Sequence, residues 1–531
     1  MSNKNSCQLL FAFFLFREYT LHVKIHRQKR TRIPGRRRNQ MEKNLFLKCL
    51  DDTDLKALMI DCLGEEAANQ TALQMYLEFE ESAQASRQGN AEFNSRLEDA
   101  RLMISGVSDP EHNDFFTEVF KKLFALGRTL RAYSKQSSAQ EKTMALLNIA
   151  KELTDACKTI SEGDIDRNPG KLASELRALL DFPQRNAKEL SEIETKLSYI
   201  RRELSSLPLI KLHFTYQKGE IKDCRLEMTG KIPQRKEGTH SGVGELPEAL
   251  SDELKLLRPE LFTSINTFCE KQENSLLTLS SAVSAFGPHL EYLLNLAKIY
   301  NLLKKNNIPL CDPRPSRRTT DLINLCDISL LLLRRNNLGR TMVMNNLTIH
   351  RKDAMSLMAG PIGSGKTSFL KAIAIAHIFF MIGLPVPAAM GSIMPVSGIY
   401  LCSRGYDPEL LPPDNELHDS LLLVLWPDSE ESSIKELNDC VAKLQEFSAK
   451  GANGICAVRT FNNNHGNAGT ISNIIPENVP LLDAIAGRDG KRTFRFKTVH
   501  RGDDSRATDI ISRYGLDKSD LLLRFRTNRK F

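Results

Sequence analysis

A chain of 531 residues, 41% hydrophobic and 26% charged, carries enough apolar material for two or three cores and falls outside the membrane, collagen and disordered classes. Its net charge of +8 is concentrated at one end: residues 1–40 hold ten Lys or Arg against one acid, Glu18, so the totals of 73 basic and 65 acidic residues leave 63 and 64 from Met41 onward. A neutral body excludes whole-molecule attraction to nucleic acid, and any such contact has to come from local clusters.

Residues 1–40 read as a basic, disordered extension, with Met41 as the working start of the protein. Contact of Lys24 to Arg38 with nucleic acid or an acidic surface is the alternative. The apolar octet Leu9 to Phe16 is shorter than the roughly 20 residues that span a bilayer. Basic residues follow it and no small-residue cleavage site does, so neither a membrane anchor nor a secretory signal is expected. Eleven scattered cysteines without a C-x-x-C pair predict reduced thiols, no zinc site and a cytoplasmic protein.

Residues 41–205 predict a helical arm, with apolar residues at three- and four-residue spacing as in Phe115, Val119, Phe120, Leu123 and Leu126. Residues 206–318 predict a core or lever region. It opens with an antiparallel hairpin, His213-Phe214-Thr215-Tyr216 and Arg225-Leu226-Glu227-Met228 alternating around the turn Gln217 to Glu220. Gln234 to Gly244 reads as an exposed loop, and long helices follow at Leu257 to Glu273 and Leu276 to Leu303, with a break near Gly287-Pro288. Cys311 to Arg318 is the linker into residues 319–531, which predict an α/β domain.

Within that domain, Gly360-Pro361-Ile362-Gly363-Ser364-Gly365-Lys366-Thr367 fits G-x-x-x-x-G-K-[ST] at every fixed position. Glycines let successive backbone N–H groups converge on phosphate oxygens. Lys366 supplies a cation for the β- and γ-phosphates, and Thr367 a hydroxyl for Mg²⁺. Ala354 to Ala359 predicts the preceding strand and Ser368 to Met381 the following helix, the order this loop requires. ATP with Mg²⁺ is the expected ligand, held by Gly360 to Thr367 and by Ser368.

Ala359 to Ala389, with its ending Ile382-Gly383-Leu384-Pro385-Val386-Pro387-Ala388, resembles the phosphate loop, helix and I-G-x-x-V-P-A segment of the MutS mismatch-repair family, a branch of the ABC-type ATPases. Met342 to Thr348 resembles that family's V-x-N-D-L segment near the adenine, which makes Asn345 a nucleotide contact. Phe494 to Leu516 resembles its strand, glycine turn and final Y-G-x helix, and Leu257 to Pro315 its lever-to-ATPase passage. The resemblance implies an α/β ABC-type P-loop ATPase domain at the C-terminus, preceded by an α-helical core with a small β-hairpin insertion. It also implies DNA as a partner and a homodimer through the ATPase domain, with no membrane.

The chain departs from the family where catalysis is concentrated. Family members end an aliphatic strand in Asp-Glu, whereas Leu421 to Leu425 here runs into Trp426-Pro427-Asp428-Ser429-Glu430-Glu431. Asp428 is the candidate for the Mg²⁺ shell and Glu430 or Glu431 for the attacking water. Their alternative role is capping of a helix expected at Ser432 to Ser448. Arg459 stands where the family has a sensor histidine and is the candidate phosphate contact. Arg404 to Asp419 holds no serine cluster to serve as the trans-acting signature loop, and neither the mismatch-reading domain nor the C-terminal dimerisation helices are recognisable. Arg201-Arg202, Lys231, Arg235-Lys236 and Arg317-Arg318 are candidate contacts to a DNA backbone, with solvated faces as the alternative. Two classes of function fit: a MutS-like, DNA-associated ATPase related to mismatch repair, or a catalytically degenerate nucleotide-binding scaffold.

Overall fold

The computed structural model describes residues 34–166, 172–205, 209–217, 220–229, 259–335, 342–351, 355–403, 405–407, 411, 417–427, 434–459, 475–476, 479–486 and 492–499. The segments 1–33, 234–244 and 500–531, with the readings placed on them, lie outside the described residues.

In chain order the helices α1 (Pro34–Asp52), α2 (Leu55–Leu63), α3 (Glu65–Gln88), α4 (Asn90–Ser108), α5 (Pro110–Tyr133), α6 (Ala139–Glu162), α7 (Ser174–Arg185) and α8 (Ala187–Ser205) come first. The hairpin β1 (Leu209–Gln217) and β2 (Glu220–Thr229) follows, then α9 (Pro259–Ser284) and α10 (Gly287–Lys305). Next come β3 (Arg314–Pro315), β4 (Thr319–Leu325), α11 (Leu330–Arg335), β5 (Asn345–His350), β6 (Met355–Gly360) and α12 (Lys366–Met381). The described chain closes with β7 (Met390–Ile393), β8 (Ile399–Cys402), β9 (Leu421–Leu425), α13 (Ile434–Ala449), β10 (Asn453–Arg459), β11 (Leu481–Ala486) and β12 (Arg492–Val499). Among the described residues no helix is long and apolar enough to cross a membrane.

Contacts divide the chain into two compact units, one taking in Asp114–Pro169 and Ser174–Glu291, the other Lys29–Asn113, Gly170–Ala173 and Tyr292 onward. In the first, α6 packs on α7, α8 and α9, and its start is fixed by a capping box in which the Ser138 hydroxyl accepts from the Glu141 N–H and the Glu141 carboxylate accepts from the Ser138 N–H. The apolar stripe of α5 buries Phe116, Val119, Leu123 and Leu126. The hairpin pairs antiparallel from Leu209↔Thr229 to Gln217↔Glu220, with a register shift at Thr215/Tyr216.

Two boundaries fall differently from the sequence reading. The arm expected over 41–205 is not one body: residues up to Asn113 belong with the α/β unit. Specific contacts tie them there. Phe93 of α4 packs on Phe380 of α12 at 5.7 Å between ring centroids, and Asp54 pairs with Lys371 at 2.5 Å. The buried Asn295 amide donates to Thr71 Oγ1 at 3.1 Å. The helices expected at Leu257 to Glu273 and Leu276 to Leu303 are also redrawn, because α9 runs unbroken through Asn274-Ser275 to Ser284. Gly287-Pro288 opens α10, where proline's missing N–H costs no intrahelical bond.

The second unit holds a six-stranded sheet in the order β12-β11-β6-β10-β9-β8 and a four-stranded sheet in the order β3-β7-β4-β5. Strands β11, β6, β10, β9 and β8 run parallel, and β12 returns antiparallel on β11. All six residues of β6 are buried, the continuous apolar run of a strand covered on both faces. Helix α13 packs on β6 and β10 through Cys440, Val441, Leu444 and Phe447. Helix α12 packs on β8, β9, β4 and α3 and buries 13 of its 16 residues, so it is apolar all round rather than amphipathic.

Candidate functional site

Pro361 to Gly365 join the buried strand β6 directly to α12. The tip, Pro361-Ile362-Gly363, is exposed, while Ser364 and Lys366 are buried. Gly363 at φ 70° and Gly365 at φ 96° occupy the left-handed region that side chains disfavour. Gly365 O accepts from the Phe369 N–H at 2.9 Å, and Pro361 O accepts from the Ser364 N–H at 3.2 Å within the loop.

Lys366 Nζ donates to Gly360 O at 2.8 Å and to Pro361 O at 2.9 Å, so the ammonium lies folded along the leading edge of its own loop. Thr367 and Ser368 follow in the first turn, half-buried. These groups fit a triphosphate with Mg²⁺: N–H donors at a helix N-terminus for the β-phosphate, a short-range cation for β and γ, and a hydroxyl for the metal. Among the described residues no group of three or more His, Cys, Asp or Glu could hold a metal ion.

A roof over the loop comes from β12, which the sequence reading assigned no role at the site. A Cβ built on Gly363 would lie 2.5 Å from Arg492 Nη1, and one on Gly365 would lie 3.4 Å from Phe494 Cδ1. Phe494 is 45% exposed and holds φ 57°, rare for an aromatic residue. Asn345 fixes that conformation. Its amide donates to Phe494 O at 3.0 Å, and its Oδ1 accepts from the Phe496 N–H at 2.9 Å. The Phe496 ring stacks on Phe369 of α12 at 5.3 Å with 5° between planes, and a register shift at Ile485/Ala486 marks the bulge opposite. Asn345, the residue expected at the nucleotide, thus braces the backbone of β12 beside the loop.

The other expected residues divide. Arg459 ends β10, in parallel register with Gly360, so its backbone lies beside the first residue of the loop. Asp428, Glu430 and Glu431 lie outside the described residues. Strand β10 stands between β6 and β9, which places the end of β9 one strand away from the loop's strand. At that end the Trp426 ring stacks on Tyr406 at 5.2 Å, and the Trp426 backbone N–H donates to Ala457 O at 2.8 Å. Trp426 thus directly follows β9, its ring stacked on that of Tyr406.

Two titratable groups are buried on or against α12. Burial lifts Asp327 to about 6, opposed by hydrogen bonds from the Ser329 hydroxyl and N–H and by weaker pulls from Lys371 and Ser368. Burial also lowers His377 to about 4, against the opposing effect of its contact with Ile373 O. His377 Nδ1 lies 2.9 Å from that carbonyl, and Nε2 lies 3.3 Å from Thr320 Oγ1.

No family model matches this chain, and no curated protein is similar enough to count as a match.

Proposed function

We propose that the chain binds ATP with Mg²⁺ at Gly360 to Thr367 and works as a MutS-like, DNA-associated ATPase, cytoplasmic and paired with a second copy through its α/β domain. The observation that carries the nucleotide reading is the loop itself: two left-handed glycines between a buried parallel strand and the first turn of a buried helix, with Lys366 Nζ 2.8 Å from Gly360 O and held ready at the leading edge. Triphosphate binding would exchange those carbonyl contacts, and the Ser364 N–H bond to Pro361 O, for phosphate oxygens, with the backbone donors of Gly363 to Lys366 on the β-phosphate. Thr367 would hold the metal. The DNA and dimer parts of the proposal rest on the resemblance of Ala359 to Ala389 and Phe494 to Leu516 to the MutS family.

A second reading, a nucleotide-gated scaffold without turnover, is favoured by the Trp426–Tyr406 stack at the end of β9. ATP hydrolysis by the purified full chain, measured alone and with duplex, mismatched or branched DNA, separates the two. Turnover that responds to DNA and disappears in Lys366→Ala supports the ATPase. Binding without turnover selects the scaffold, and absence of nucleotide binding removes both.

A further inference from the structure

Arg492 is the unexplained cation of this region. Its side chain is exposed, and it makes no hydrogen bond or ion pair among the described residues. Yet its Nη1 lies 2.5 Å from where a Cβ on Gly363 would stand, so the guanidinium rests on the glycine at the loop's tip. A helix N-terminus and its converging N–H groups already carry partial positive charge. An unpaired guanidinium over them is electrostatically unfavourable until an anion arrives between the two.

The strand that carries Arg492 is held rigidly. Asn345 bonds the backbone on both sides of Arg495, Thr493 Oγ1 donates to Ile485 O, and the Arg495 N–H donates back to Thr493 Oγ1 at 3.2 Å. Phe496 stacks on Phe369 in the first turn of α12. This cross-bracing fixes the backbone of the strand that carries Arg492, at a bulge next to the positive φ of Phe494.

We propose that Arg492 is a phosphate ligand supplied in cis, which closes on the terminal phosphate of a bound nucleoside triphosphate and makes the site prefer the triphosphate over the diphosphate. The proposal rests on the nucleotide reading of the loop. The direction of the phosphate chain follows from Lys366, which reaches from the β-phosphate cradle at the helix start toward Gly360 and Pro361, so the leading edge at Ile362-Gly363 borders the terminal phosphate. Arg492 sits at that edge. A guanidinium there offers two parallel N–H donors to one phosphoryl group, a geometry an ammonium cannot supply.

Equilibrium binding of ATP and ADP by the full chain tests this, with Arg492→Ala, Arg492→Lys and Lys366→Ala compared with the native protein. Arg492→Ala should weaken ATP binding about tenfold or more and leave ADP within about twofold, with Arg492→Lys in between. Thermal unfolding of the Arg492 variants should match the native protein, because the side chain has no hydrogen-bond or ion-pair partner among the described residues to lose. An equal loss for ATP and ADP, no loss for either, or tighter ATP binding in Arg492→Ala overturns the proposal, the last by showing the guanidinium to be a plug. Failure is distinguishable at the level below: a native chain that binds neither nucleotide, and behaves like Lys366→Ala, overturns the nucleotide reading itself.

Discussion

Asp327→Asn should stabilise the protein at neutral pH and expose an acid-sensitive step that the native chain hides. Burial moves two groups in opposite directions, Asp327 from 3.8 up to about 6 and His377 from 6.5 down to about 4. The folded pKa of Asp327 lies above its unfolded value, so its contribution is favourable below pH 3.8 and is lost as pH rises through 6. The folded pKa of His377 lies below its unfolded value, so its contribution is intact above pH 6.5 and is lost as pH falls through 4. At about 1.4 kcal/mol per pH unit, each displacement amounts to about 3 kcal/mol. Between pH 4 and 6 the folded chain therefore holds one extra proton on Asp327 and lacks one on His377, and the two slopes cancel.

Asparagine keeps an acceptor for Ser329 and removes the buried negative charge, a gain of about 1–3 kcal/mol at pH 7. Between pH 7 and 4 this variant should then lose about 3 kcal/mol more than the native protein, because His377 titrates unopposed. His377→Gln should show the reverse slope. Urea unfolding at pH 7, 5.5 and 4.5 reads this directly, since the sole tryptophan, Trp426, lies in the same unit as α12 and reports on it. Profiles for Asp327→Asn and the native chain that stay parallel within about 0.5 kcal/mol would refute the assignment of opposed burial effects.

Phe93→Ala removes a side chain 2% exposed that packs on Phe380, and should cost about 3–5 kcal/mol, read as a lower urea midpoint of the α/β unit. Asn345→Ala removes both braces on the roof strand and should cost about 1–3 kcal/mol, with faster hydrogen exchange at the Phe496 amide as its local signature. Gly365→Ala forces a side chain into φ 96° beneath Phe494 and should cost about 1–2 kcal/mol while weakening nucleotide binding, a combination that calorimetric titration and thermal unfolding together resolve.

The strands and helix around the loop were legible because their signals are local. Leu421–Leu425 is the strand the apolar run predicts, and β6 and α12 begin and end within two residues of their expected limits. The hairpin was legible for the same reason, from period-two alternation around a glycine turn. What was not legible depends on contacts distant in sequence. Nothing in residues 41–113 announces that Phe93 packs on Phe380 or that Asp54 pairs with Lys371, some 300 positions away. The two bonds of Asn345 to the backbone of β12 were not legible, because an amide satisfying a strand backbone and an amide touching a base look alike in sequence. Arg492 carried only the weak signal of a basic residue on an alternating basic and aromatic strand. Its place over Gly363 follows from β11 lying beside β6 and β12 beside β11.

Equilibrium ATP binding by the purified full chain, with Lys366→Ala as the control, tests the central claim most directly. Saturable binding that requires Mg²⁺ for full affinity and falls at least tenfold in Lys366→Ala is the predicted result. Equal binding by both proteins, or none by either, would contradict the assignment of Gly360 to Thr367 as a nucleotide site.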